Sequence, residues 1–131
     1  MKTKVLMITS SVALGLAGLV ASFAPEDLLR ALGSPPTAAV SVVIQLLGAL
    51  YVAFAIMNWT AKDNIIGGIY SRPLLLGNCV HFVSGGLALA KQQVPHGMSL
   101  PLAVVLVVYA IFAVCFLWLI FGKGAAGKEA S

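Results

Sequence analysis

Five polar side chains stand inside otherwise apolar runs of this chain: Gln45, Tyr51, Asn58, Asn78 and His81. A polar group placed in hydrocarbon is costly and by default raises a functional hypothesis. Amide, phenol and imidazole each donate and accept hydrogen bonds. Gathered in one place, Gln45, Tyr51, Asn78 and His81 would suit a quinone, a lipid head group or another small polar molecule. A second group lies in the most polar stretch, NWTAKDNIIGGIYSRPLLLGN, residues 58–78. Trp59 and Tyr70 are the aromatic types found at membrane boundaries. Arg72 precedes Pro73 at a helix start, where free amides and the helix dipole favour anions. With Lys62 it makes a candidate site for a lipid phosphate or a partner. The segment IIGGIYSRP is not a phosphate-binding loop, because no G-K-[ST] follows it. A folded cap and lipid anchor is the plainer reading, and a catalytic loop the sharper one.

The elements that must hold these residues follow from composition. The chain has 131 residues, 60% apolar and 9% charged. Soluble domains carry about 25% charged residues, and a chain of this size cannot hide so much apolar surface in its own core. A helix that crosses a bilayer needs about 20 mainly apolar residues. Four windows qualify, at about 5–23, 37–58, 73–91 and 99–121. The expected fold is all-α, a single four-helix transmembrane bundle over residues 1–122, followed by a flexible cytoplasmic tail, 123–131. The first window also has signal-peptide features: a basic start and a passable Ser22-Phe23-Ala24 cleavage site. Its length, and Pro25 directly after the cut, favour a retained helix.

Charge sets the expected orientation. With four spans, Lys2, Lys4, Lys62, Arg72, Lys123 and Lys128 share one side, against Arg30 and Lys91 on the other. Six against two places both termini in the cytoplasm of a bacterial inner membrane. The net charge of +4 is this bias summed, with no basic helix that would enter a nucleic-acid groove.

Span one carries Ser11, Gly15, Gly18 and Ser22 in a small-xxx-small row, which lets helix backbones approach closely in lipid. That face suits packing inside the bundle or a dimer. APEDLLRALG then reads as a short interfacial helix, with Pro25 in its first turn and Gly33 ending it. Span two presents Ser41, Gln45, Gly48, Val52, Ala55 and Trp59 as a stripe. Span three presents Gly77, Asn78, His81, Ser84, Gly85 and Ala88. Span four is bulky and β-branched and is expected to be the most lipid-exposed. If spans two and three form a hairpin, residues whose numbers sum to about 131 lie at one depth. His81 then falls level with Leu50 and Tyr51, and Gln45 with Gly85 and Gly86. The sharp reading is a polar pocket there; the plainer one is interhelical hydrogen bonding.

Several classes are disfavoured. No carboxylate lies within a span, against a small multidrug exporter. Cys79 and Cys115 form no CxxC pair, against a disulfide oxidase, and read as small apolar fillers. His81 as a haem ligand lacks a second histidine at its depth, since His96 lies about four turns away. No cofactor is predicted, with haem or a quinone as the lesser alternatives, and no metal cluster or Ser/His/Asp set is seen.

FAPEDLLRALG, GALYVAFAIMNW and GGIYSRPLLLGNCVHF together resemble small bacterial integral membrane proteins of four helices. In these an FAPE-like segment follows helix one, an NW ends helix two and a GGIY-x-RP…N-x-x-HF run opens helix three. The likeness spans about residues 20–90. It implies a four-helix bundle in the inner membrane and no particular activity. A more distant likeness to DoxX-type proteins is architectural, and fold alone does not carry function. The expected function is an accessory, assembly or interaction subunit, partnered by the bilayer and by another membrane protein or a second copy. The alternatives are a ligand-binding or redox-linked protein using the polar cluster, and an oligomeric small-solute transporter.

Overall fold

The structure is a computed structural model describing residues 3–63, 71–97 and 99–122, with the side chains of 93–96 left aside. Its helices are α1 (Thr3–Phe23), α2 (Pro25–Ala31), α3 (Ala38–Ala61), α4 (Ser71–His96) and α5 (Leu100–Leu117), the last prolonged by a π-helical turn, Trp118–Gly122. The chain is all-α among the described residues, with four helices long and apolar enough to cross a membrane. Each overlaps one of the four expected windows, with α4 starting two residues earlier than expected. Expected features at Tyr70 and in the 123–131 tail lie outside the described residues. The contacts gather into two compact units, Met1–Asp63 and Asn64–Ser131.

In the first unit, α1 and α3 run antiparallel, joined through α2. Pro25 opens α2, and both Pro25 and Leu29 are buried. Glu26 and Asp27, in its first turn, pair with Arg30 in the open. Gly33 closes the helix at φ +76°. Its N–H donates to Arg30 O (3.0 Å) while the Ser34 N–H reaches Leu29 O (2.9 Å). This two-bond closure needs a left-handed residue, which glycine adopts without a Cβ penalty. Thr37 caps α3, its Oγ1 accepting from the Val40 N–H at 3.3 Å.

Small residues let α1 and α3 touch backbone to backbone. A Cβ on Gly18 would lie 2.8 Å from Gly48 O, and one on Gly48 2.7 Å from Ser22 N and 2.8 Å from Gly18 O. The small row of span one therefore packs within the chain, on the stripe of span two.

In the second unit, α4 and α5 are antiparallel and meet through aromatic rings. Phe82 stacks on Phe112 (4.9 Å between centroids) and Phe116 (5.7 Å) and meets Tyr109 edge-on (5.3 Å). Such pairs contribute about 0.5–1.5 kcal/mol each beyond their area. Span four is not the least covered, as its bulky composition had suggested: 17% of its window is buried, against 11% for α3. Tyr109, Phe116 and Leu119 turn inward from it.

Candidate functional site

Polar side chains along the α1–α3 seam are joined in pairs. Ser11 Oγ donates to Ala55 O at 2.7 Å, and Asn58 Nδ2 to Ser10 Oγ at 3.0 Å. Ser10 and Asn58 are both fully buried. Gln45 Nε2 reaches Ser22 O at 3.5 Å from an exposed position. At the end of the seam, Lys4 Nζ meets Asp63 Oδ1 at 2.6 Å. The numbers of facing residues sum to about 67 throughout, the signature of one antiparallel register. The hydrogen-bonded Lys4 ammonium, more than the charge of Lys62, holds the Asp63 carboxyl below its ordinary value against the opposing effect of desolvation.

Trp59 and Lys62, both expected at a head-group level, are brought together. Lys62 Nζ sits 4.4 Å from the Trp59 ring centroid, a cation–π contact, and donates to Trp59 O at 3.2 Å. The same ammonium is 3.8 Å from Asp63 Oδ2. Next to Trp59 an apolar groove of about 280 Å³ runs between α1 and α3, lined by Ser11, Gly15, Leu19, Val52, Ala55, Ile56 and Trp59. Tyr51 is half-buried on α3. Arg72 is exposed in the first turn of α4. Tyr70 lies outside the described residues.

His81 and Asn78 belong to the second unit. Asn78 is fully buried, and its Nδ2 donates to Leu74 O one turn back, at 2.9 Å. His81 Nε2 lies 3.2 Å from Tyr109 Oη, with the ring centroids 5.4 Å apart. Phe82 stands edge-on to the imidazole at 5.0 Å. Gly85 makes room for the phenol: a Cβ there would come 2.5 Å from Tyr109 Cε1. This His–Tyr pair links α4 to α5 by a hydrogen bond among flanking rings.

Of the four residues expected to share a pocket, Gln45 and Tyr51 thus belong to one unit and Asn78 and His81 to the other. The pairing residues that sequence reasoning missed are Ser10 and Tyr109. Tyr109 had a signal: it is the single hydroxyl-bearing side chain in PLAVVLVVYAIFAVCFLWLIF, and it falls opposite Gly85, one turn from His81, if spans three and four form a hairpin closing near residue 97. Cys79 is buried and Cys115 half-buried, both as free thiols. Among the described residues no group of three or more His, Cys, Asp or Glu could hold a metal ion.

Comparison of the chain with protein families, with characterised proteins and with solved structures finds no match. The class therefore rests on the helices themselves: this is an all-α multi-pass membrane protein.

Proposed function

We propose that the chain is an accessory, assembly or interaction subunit of a bacterial inner-membrane complex, with both termini in the cytoplasm. One observation carries this reading. Each helix pair spends polar side chains on its own seam, as Ser11 does on Ala55 and His81 on Tyr109, while long apolar faces point outward. Val43, Leu46 and Val80 are among the side chains more than 60% exposed. A preformed hairpin with an apolar exterior suits docking against other membrane helices, where packing rather than hydrophobicity selects the partner. The orientation rests on the six-to-two bias of basic residues, and the compartment on the resemblance to small bacterial four-helix proteins.

The test is native mass spectrometry of the protein extracted from its own membranes in a mild detergent. A stoichiometric larger assembly is expected. A monomer without protein partners would sink the proposal. The His81–Tyr109 pair favours a second reading, a binding site for a quinone-like molecule or another flat polar ligand. That reading requires a discrete non-lipid mass on the isolated chain, lost in His81→Ala at little cost in stability.

A further inference from the structure

The groove between α1 and α3 belongs to neither reading, and its chemistry is specific. Its floor is made by Ser11, Gly15 and Ala55, where side chains are small. The Ser11 hydroxyl is already given to Ala55 O, so the floor asks for no hydrogen bond. The rim is bulky and open: Leu19, Ile56 and Trp59 are 49%, 59% and 49% exposed. At one end the Lys62 ammonium lies over the Trp59 ring. Asp63 is held chiefly by Lys4, so two cations and one carboxylate leave that end with a net positive charge. We propose that this groove is a lipid site. It holds one acyl chain of an anionic phospholipid along α1 and α3, with the phosphate at Lys62 and the glycerol region beside Trp59.

Two magnitudes favour that occupant over a helix. In a register where facing numbers sum to about 67, Leu19 lies level with Gly48. From that level to Trp59 is about 17 Å at 1.5 Å per residue. Half of a bilayer's hydrocarbon core is about 15 Å, so the groove runs the depth of one leaflet. A volume of about 280 Å³ spread over that length makes a narrow groove, open along its rim. A flexible hydrocarbon chain can follow it, whereas a helix about 10 Å across would rest on the rim. The charge complements a lipid phosphate, and an aromatic ring at the interface is the usual neighbour of a glycerol backbone.

The experiment uses the full chain in vesicles of phosphatidylglycerol and phosphatidylcholine, each doped in turn with the corresponding lipid bearing a photoactivatable acyl chain. Labelled residues are mapped by mass spectrometry. Labelling is expected at Leu19, Ile56 and Trp59 in preference to Val43 and Leu50, which are exposed on the opposite side of α3. The phosphatidylglycerol probe should label more strongly than its phosphatidylcholine counterpart. A Cβ on Gly15 would meet Ala55 Cβ at an ordinary 3.5 Å, so Gly15→Leu meets no clash at its Cβ and carries its remaining atoms to the groove that Gly15 lines. It should cut labelling there about tenfold, equivalent to about 1.4 kcal/mol. Lys62→Gln should lower the preference for the anionic probe about fivefold, the equivalent of one basic residue at a membrane surface. Even labelling around α3 would overturn the proposal without recourse to any variant. Equal labelling by the two probes would do the same. So would disulfide crosslinking between copies of Leu19→Cys or Ile56→Cys chains, which would give the groove to a second copy. The lipid-labelling outcomes do not bear on whether the protein joins a larger complex.

Discussion

Replacing Gly48 by alanine tests the closest approach in the first helix pair. The added Cβ would stand 2.6 Å from Ser22 Oγ, 2.7 Å from Ser22 N and 2.8 Å from Gly18 O. Ordinary contact begins at 3.4 Å. Two of the three neighbours are backbone atoms and cannot swing away, so α1 and α3 must part by about 0.7 Å. Overpacking of this kind costs about 1–3 kcal/mol. The same movement stretches the Asn58–Ser10 bond from 3.0 Å toward about 3.7 Å, beyond useful hydrogen-bond length. The Ser11–Ala55 bond, at 2.7 Å, weakens as well. Interhelical bonds in membranes average about 0.6 kcal/mol each. The expected loss is therefore about 3 kcal/mol. Gly15→Ala is the control, because its Cβ makes only ordinary contact at 3.5 Å and should change stability little.

The assay is reversible unfolding in mixed detergent micelles by sodium dodecyl sulfate, followed by far-ultraviolet circular dichroism. Gly18→Ala meets the same obstruction from the other side, at 2.8 Å from Gly48 O and 2.9 Å from Val52 N. Once one substitution has parted the helices, the second meets little resistance. The double variant should thus fall about 2 kcal/mol short of the sum of the single effects, within the range seen for residues in contact. A Gly48→Ala protein within about 0.5 kcal/mol of wild type would refute the reasoning, since surface changes away from contacts give no more than that. Strict additivity of the two substitutions would refute the shared contact.

Three further outcomes follow from the same geometry. Asn58→Leu leaves Ser10 buried without the amide and should cost about 1–2 kcal/mol in the same unfolding assay, with much of that loss absent in a Ser10→Ala background. Asp63 has a depressed folded-state pKa, so what its pair with Lys4 contributes is present above the unfolded value near 3.8 and lost as pH falls through the folded one. Lys4→Gln should move the Asp63 carboxyl titration upward in carbon-13 NMR, and an unshifted midpoint would remove Lys4 as the cause. Gly85→Ala should drive its Cβ into the Tyr109 ring and part the phenol from His81, read as a change in the imidazole nitrogen-15 shifts that Tyr109→Phe reproduces.

The helices were legible because their signal is local. Apolar windows of spanning length, Pro25 at a helix start and Gly33 at a helix end each need only nearby residues. The small row on span one was legible too, as a face that wants a close neighbour. What the sequence left open was the neighbour itself. The row Ser11, Gly15, Gly18, Ser22 suits a fold seam and a dimer seam equally, because both need the same backbone approach in lipid. Register settles the choice in favour of span two, through partners that repeat at a constant sum from Lys4–Asp63 to Ser22–Gln45. Tyr109 escaped notice for the opposite reason. One hydroxyl in a run of β-branched residues makes no stripe, and its meaning comes from His81 on another helix.

Polar residues inside a span therefore say less about chemistry than their cost suggests. Asn58 and Ser10 are fully buried, yet their bond lies on the same seam where Gly18 and Gly48 meet. Removing the amide should loosen a hairpin before it removes an activity. The His81–Tyr109 bond is different in kind, because it joins α4 to α5 within a cluster of aromatic rings. The apolar groove is different again, because its specificity lies in shape and in one ammonium at its end rather than in polar side chains at depth. If that groove holds a lipid, a search for function guided by intramembrane polar residues alone would pass over it. Its floor is written in glycine, alanine and a serine whose hydroxyl is already spent.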